Sequence, residues 1–256
     1  AAAVYYAAHT VAVCAADADA ARRSWQRLHT LVDEIDEPRA RWTATVIEAF
    51  TATMECRFRE AEALIAAVLD IGTRIGEPEA WRVFVAQSFV LGTFEGRHAE
   101  LLPLVQHALD TESSADLSIR AAHAIVSAEV GELGPPRALL DEVMTRGLDA
   151  IPRDLFRSTT LLGYAIIALE LEDVAAAEAL LGDVLACASE VSFNGATSQG
   201  PISAYVGKLL SLIGRHDEAE QQLLHALAVA ESFGWEYHRA STLLALAQNR
   251  GRAAGA

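Results

Sequence analysis

Basic side chains are scarce in this sequence: Lys208 is its only lysine, and 20 Lys and Arg stand against 35 Asp and Glu, for a formal charge of −15. Neutralising a polyphosphate takes clustered cations, so the composition argues against direct nucleic-acid binding. Cysteine is nearly as rare. Cys14, Cys56 and Cys187 are odd in number, far apart and without a CxxC pair, which signals neither a disulfide framework nor a zinc site and suits buried, reduced thiols. No run reaches the roughly 18 apolar residues that a membrane span requires, so no membrane association is expected and the cytoplasm is the expected compartment. Residues 1–15 are apolar, but they carry no basic n-region and are interrupted by His9 and Thr10, which reads as a helix and not as a signal peptide.

Catalytic motifs are equally wanting. Between Gly200 and Lys208 the glycines are too far apart for a phosphate-binding loop, and Leu209 stands where its metal-binding Ser or Thr belongs. The Gly195 to Gly200 stretch misses a nucleophile elbow by one residue. No HExxH or other ligand-spaced pair joins the histidines, so no catalytic residue, metal or cofactor is assigned.

What the chain has in plenty is alanine, within a hydrophobic share of 52%, and repetition. Alanine has the highest helix propensity, and apolar periodicity gives about thirteen helices with no strand-like alternation. They are divided at Asp17–Asp19, Glu37-Pro38, Cys56-Arg57, Glu77-Pro78, Gly96-Arg97, Ser113-Ser114, Gly134-Pro135-Pro136, residues 148–152, Glu172-Asp173 and Gly214-Arg215. Pro38 and Pro78 are placed where new helices begin. The phrase Glu95-Gly96-Arg97-His98-Ala99-Glu100, followed by His107-Ala108-Leu109, returns as Ile213-Gly214-Arg215-His216-Asp217-Glu218, followed by His225-Ala226-Leu227. A third copy starts at Arg57-Phe58-Arg59-Glu60-Ala61. This repetition predicts an all-α fold, a right-handed α-solenoid of TPR-like helical hairpins with about six repeats over residues 1–250, followed by a tail over 251–256. Gly92, Gly163 and Gly207, inside first helices, are expected to allow close packing. Residues 191–200, polar and with two glycines, are expected to form a long exposed loop.

First helices of successive hairpins line the concave face of such an array. Their cations, Arg39, Arg41, Arg82, Arg120, Arg153, Arg157 and Lys208, could form a ladder for an acidic peptide or carboxylate, with Trp81, Tyr164 and Tyr205 close by. Local ion pairs on solvated faces and ordinary core packing account for the same residues. The candidate groove is therefore Arg82, Arg120, Arg157, Tyr164 and Lys208.

Residues 214–220 (Gly-Arg-His-Asp-Glu-Ala-Glu), 132–141, Ile151-Pro152-Arg153-Asp154 and 239–247 resemble the C-terminal tetratricopeptide-like region of large actinobacterial signalling regulators. Those proteins join a STAND-type AAA ATPase to a helical region, with a class III adenylate cyclase or a LuxR-type DNA-binding domain at one end. The resemblance implies a fragment of a longer polypeptide: a non-catalytic region that binds a protein, peptide or small effector and controls a neighbouring ATPase or effector domain. A stand-alone TPR-type peptide-binding scaffold is the alternative.

Overall fold

The computed structural model describes residues 2–35, 37–111, 117–154 and 156–255, and the turn expected at Ser113-Ser114 lies outside them. Within the described residues the chain is predominantly α-helical. Six pairs of helices follow one another: α1 (Ala2–Cys14) with α2 (Ala18–Glu34), α3 (Pro38–Met54) with α4 (Phe58–Ile75), α5 (Ala80–Phe94) with α6 (His98–Thr111), α7 (Leu117–Glu129) with α8 (Gly134–Arg146), α9 (Arg157–Glu170) with α10 (Val174–Leu185), and α11 (Ile202–Leu212) with α12 (His216–Phe233). A last helix, α13 (Glu236–Gly255), carries the chain through most of the expected tail. Each helix packs on the next, and odd-numbered helices also touch one another, α3 on α5, α7 on α9, α9 on α11 and α11 on α13.

The joint inside every pair is the same. The N–H groups of Asp17, Arg57, Arg97, Glu132, Asp173 and Arg215 donate back to the carbonyls of Ala12, Ala52, Gly92, Ser127, Ala168 and Leu210 at 2.8–2.9 Å. One residue before each donor the backbone is left-handed, at Ala16, Cys56, Gly96, Gly131, Glu172 and Gly214. This bond satisfies a carbonyl that a helix end leaves open, and the left-handed residue turns the chain back on itself. Glycine adopts that conformation freely, whereas Ala16, Cys56 and Glu172 hold it against the steric cost of a Cβ. The starts of second helices are set by side chains as well: Asp17 and Asp173 accept from the N–H of Ala20 and Ala176. Two boundaries differ from the sequence reading. Gly134 opens α8 instead of forming its turn, and Pro78 stands in the turn before α5.

The three first-helix glycines do make close contacts. A Cβ at Gly92 would come within 2.8 Å of Leu101, at Gly163 within 2.8 Å of Ala121 and at Gly207 within 2.6 Å of Leu223. Gly72 in α4 does the same against Ala80 and Trp42.

Residues 191–200 correct the sequence reading, since they are not an exposed loop. Two short strands, β1 (Val191–Phe193) and β2 (Ser198–Pro201), pair antiparallel with a bulge between Ser192 and Phe193. Val191, Ser192 and Phe193 are 0–1% exposed, and the strands pack against α1, α9, α11 and α12. Burial of so polar a segment is tolerated because its groups pair. Ser192 meets Thr159 at 3.2 Å, Asn194 Oδ1 accepts from the N–H of Ala196 and Thr197, and the Cys14 thiol donates to the Phe193 carbonyl. All three cysteines are free and half-buried.

Around this hairpin the beginning and end of the chain meet. Phe50 packs on Phe193 and Trp235, Phe94 stacks on Tyr237 at 3.8 Å, and Arg22 donates to the Ser232 carbonyl. Helix α13 thereby touches α3, and contacts extend past sequence neighbours.

Candidate functional site

Helices α1, α3, α5, α6, α7 and α9 and the hairpin tip enclose a partly open cavity of about 370 Å³. Its apolar walls come from α5, α6 and α7, where helical periodicity turns Phe89, Val105, Ala121 and Ile125 inward. Trp42, Trp81 and Phe156 add aromatic surface, while Tyr6 of α1 and Asn194, Thr197 and Gln199 of the hairpin supply uncharged polar groups. A second cavity of about 380 Å³ adjoins it, sharing Tyr6, Arg39, Trp42, Val83 and Ala196.

Both tryptophans are held by neighbouring groups. The Trp42 indole N–H donates to the Val68 carbonyl at 3.0 Å, and Trp81 packs against Phe84 and the edge of His107. Tyr6 lies so close to Gly195 that a Cβ there would sit 2.4 Å from its hydroxyl. The φ of +96° at Gly195 demands glycine independently. Burial pushes the Tyr6 phenol above its ordinary pKa, so it is a neutral hydrogen-bonding group.

Gln87, 2% exposed on α5, holds the hairpin tip in place. Its amide nitrogen donates to the carbonyls of Val46 on α3 at 2.8 Å and Ala196 on the tip at 3.0 Å. One side chain thus ties three parts of the chain together.

Charges at the cavity come in opposite-sign pairs. Arg39 meets Glu77 at 3.1 Å, and Arg82 meets Glu79 at 3.7 Å. Glu77 is 6% exposed, whereas Arg39 is 70% exposed.

Of the five residues singled out from sequence, Arg82 alone lines the cavity. Arg120 forms a two-pronged ion pair with Glu142, which also meets Arg146. That contact raises the Arg120 pKa and lowers that of Glu142. Tyr164 sits near this group fully buried, its hydroxyl without a partner among the described residues and its pKa pushed up to about 12 by burial. Arg157 donates to the Ile151 carbonyl and to Asp183 at 2.8 Å. Lys208 lies against α13, where its amine reaches Ser241 at 3.4 Å and stands over the Tyr205 ring, and burial lowers its pKa.

Family models, curated proteins and solved structures offer no match to this chain.

Among the described residues no group of three His, Cys, Asp or Glu side chains is placed to hold a metal ion. No helix there is long and apolar enough to cross a membrane. Repetition pointed to Trp81 and Arg82 on a first helix, and the break in rhythm at residues 191–200 marked the segment that holds the hairpin tip, but nothing in the sequence signalled Tyr6 or Gln87, which reach the cavity only through long-range packing.

Proposed function

We propose that this chain is a non-catalytic regulatory region, a right-handed α-solenoid of TPR-like hairpins, that takes up a small effector and passes its occupancy to a neighbouring ATPase or effector domain of a multidomain signalling protein. The cavity carries this reading. Its size, its apolar and aromatic walls and its uncharged polar groups, among them Tyr6, Asn194, Thr197 and Gln199, are the make-up of a small-molecule pocket. Six identical joints and the contacts of α3 with α5, α7 with α9, α9 with α11 and α11 with α13 support the repeat assignment.

A route for coupling is built into the site. The tip of the hairpin lines the cavity, while at its base the Ile202 N–H donates to the Glu190 carbonyl where α11 begins. A ligand that shifts the tip therefore acts on Gln87, α3 and α11 together. Val4 and Val11 on charge-free α1, and Leu243 and Leu244 on α13, leave apolar surface suited to a neighbouring domain.

A thermal-shift screen of small apolar compounds tests the reading, run in parallel on Ala122→Phe, which fills the cavity. A ligand held at about 100 times its Kd should stabilise the wild-type chain by about 2.7 kcal/mol and leave the filled variant unmoved. Identical shifts in both proteins, or none in either, contradict a ligand pocket here. Saturable ATP turnover by the purified chain would overturn its non-catalytic character.

A further inference from the structure

We propose that the cavity selects an electrically neutral, mostly apolar ring compound bearing one uncharged hydrogen-bonding edge, and that it rejects anions of the same shape. This rests on the cavity being a ligand site, and it reverses the acidic partner that the sequence suggested.

Two independent observations carry the inference. The first is the state of the charges. Both arginines at the cavity are matched with glutamates, Arg39 with Glu77 and Arg82 with Glu79. In the Arg39–Glu77 pair the carboxylate is buried and the guanidinium faces solvent. An entering anion must shed its water, displace a glutamate from an existing pair and sit beside that glutamate's negative charge. A neutral molecule meets none of these costs.

The second is the placement of uncharged polar groups. Within the described residues, no protein group bonds the Tyr6 hydroxyl or the Gln199 carboxamide, and the Asn194 amide nitrogen donates to none. Asn194 Oδ1 is already filled by two backbone N–H groups and the Thr197 hydroxyl, which leaves its NH2 as the free end. All three groups line the cavity, Asn194 and Gln199 from the hairpin and Tyr6 from α1 beside it, together with the apolar side chains of Phe89, Val105 and Ile125. A ligand with one hydroxyl, carbonyl or amide edge satisfies them, and a pure hydrocarbon leaves them unpaired.

Displacement of a neutral reporter dye, N-phenyl-1-naphthylamine, from the full chain tests both features with three near-isosteric competitors at pH 7. The expected order of affinity is 2-naphthol, then 2-methylnaphthalene, then 2-naphthoate, with the carboxylate roughly tenfold or more weaker than the alcohol. Naphthoate binding as tightly as naphthol overturns the charge selection. Methylnaphthalene binding more tightly than naphthol removes the hairpin edge from recognition. The reporter must also lose affinity in Ala122→Phe or in Ala86→Phe, each checked for native helicity by circular dichroism. A dye that fails to bind saturably, or that binds both folded variants unchanged, sinks the cavity reading itself, an outcome separate from a wrong order among the competitors.

Discussion

A methyl group added at Gly207 would sit 2.6 Å from Leu223 Cγ and 3.1 Å from the Ala219 carbonyl, and the backbone atom cannot swing aside as a side chain does. Gly207→Ala is therefore expected to destabilise the protein by about 1–3 kcal/mol in urea or thermal unfolding. Gly182, within α10, has nothing within 4 Å of its added Cβ. There the gain in helix propensity stands alone, and Gly182→Ala should stabilise by about 0.5–1 kcal/mol. Equal effects at the two sites would remove close packing as the reason for the first. Sequence reasoning reached Gly92, Gly163 and Gly207 because a glycine inside an apolar helical pattern needs a packing partner to offset its propensity cost. It could not tell which arginines were already engaged: Arg120–Glu142 and Arg157–Asp183 join residues of adjacent helices whose relative rotation no local pattern fixes.

The β1–β2 hairpin shows how a connection becomes a structural element. Ser192, Thr197, Ser198 and the Asn194 carbonyl oxygen bond one another, the hairpin backbone or Thr159, so the hairpin can lie inside the fold where a loop of the same composition would lie outside. Gln87→Leu deletes the donor to Ala196 at the tip and the second donor to the Val46 carbonyl, which keeps its bond within α3, a loss expected at about 1–3 kcal/mol. Amide exchange at residues 194–198 should accelerate more than exchange in α11; unchanged protection at those residues would show that Gln87 does not hold the tip. The helices themselves were readable along the chain, as were five of the six joint positions; the sixth, at Gly131-Glu132, was expected at Gly134-Pro135-Pro136. Ala16 and Cys56 gave no sign of their left-handed backbone, because the conformation there is imposed by the pairing of helices and not by residue preference. The hairpin was read as an exposed loop because strands of three and four residues are too short for alternation to register, and because Ser, Asn, Thr and Gln ordinarily indicate solvent.

At the scale of the fold, the meeting of α3 and α5 with α13 sets this protein apart from a chain of units coupled only to their neighbours. In a neighbour-coupled array the terminal units open at lower free energy than the centre. Here the slowest-exchanging amides of α3 and of α11–α12 should report opening free energies within about 1 kcal/mol of one another by native-state hydrogen exchange. A steep gradient from one end to the other would show that the contacts of Phe50 with Trp235 and Phe94 with Tyr237 contribute little to holding the ends together. Those same contacts limit how such a protein can change its length over evolution. An open row gains or loses a unit by simple duplication or deletion, but where α13 must arrive beside α3 the tally between them is fixed, and one hairpin more or fewer there would carry Trp235 and Tyr237 past the rings they have to meet.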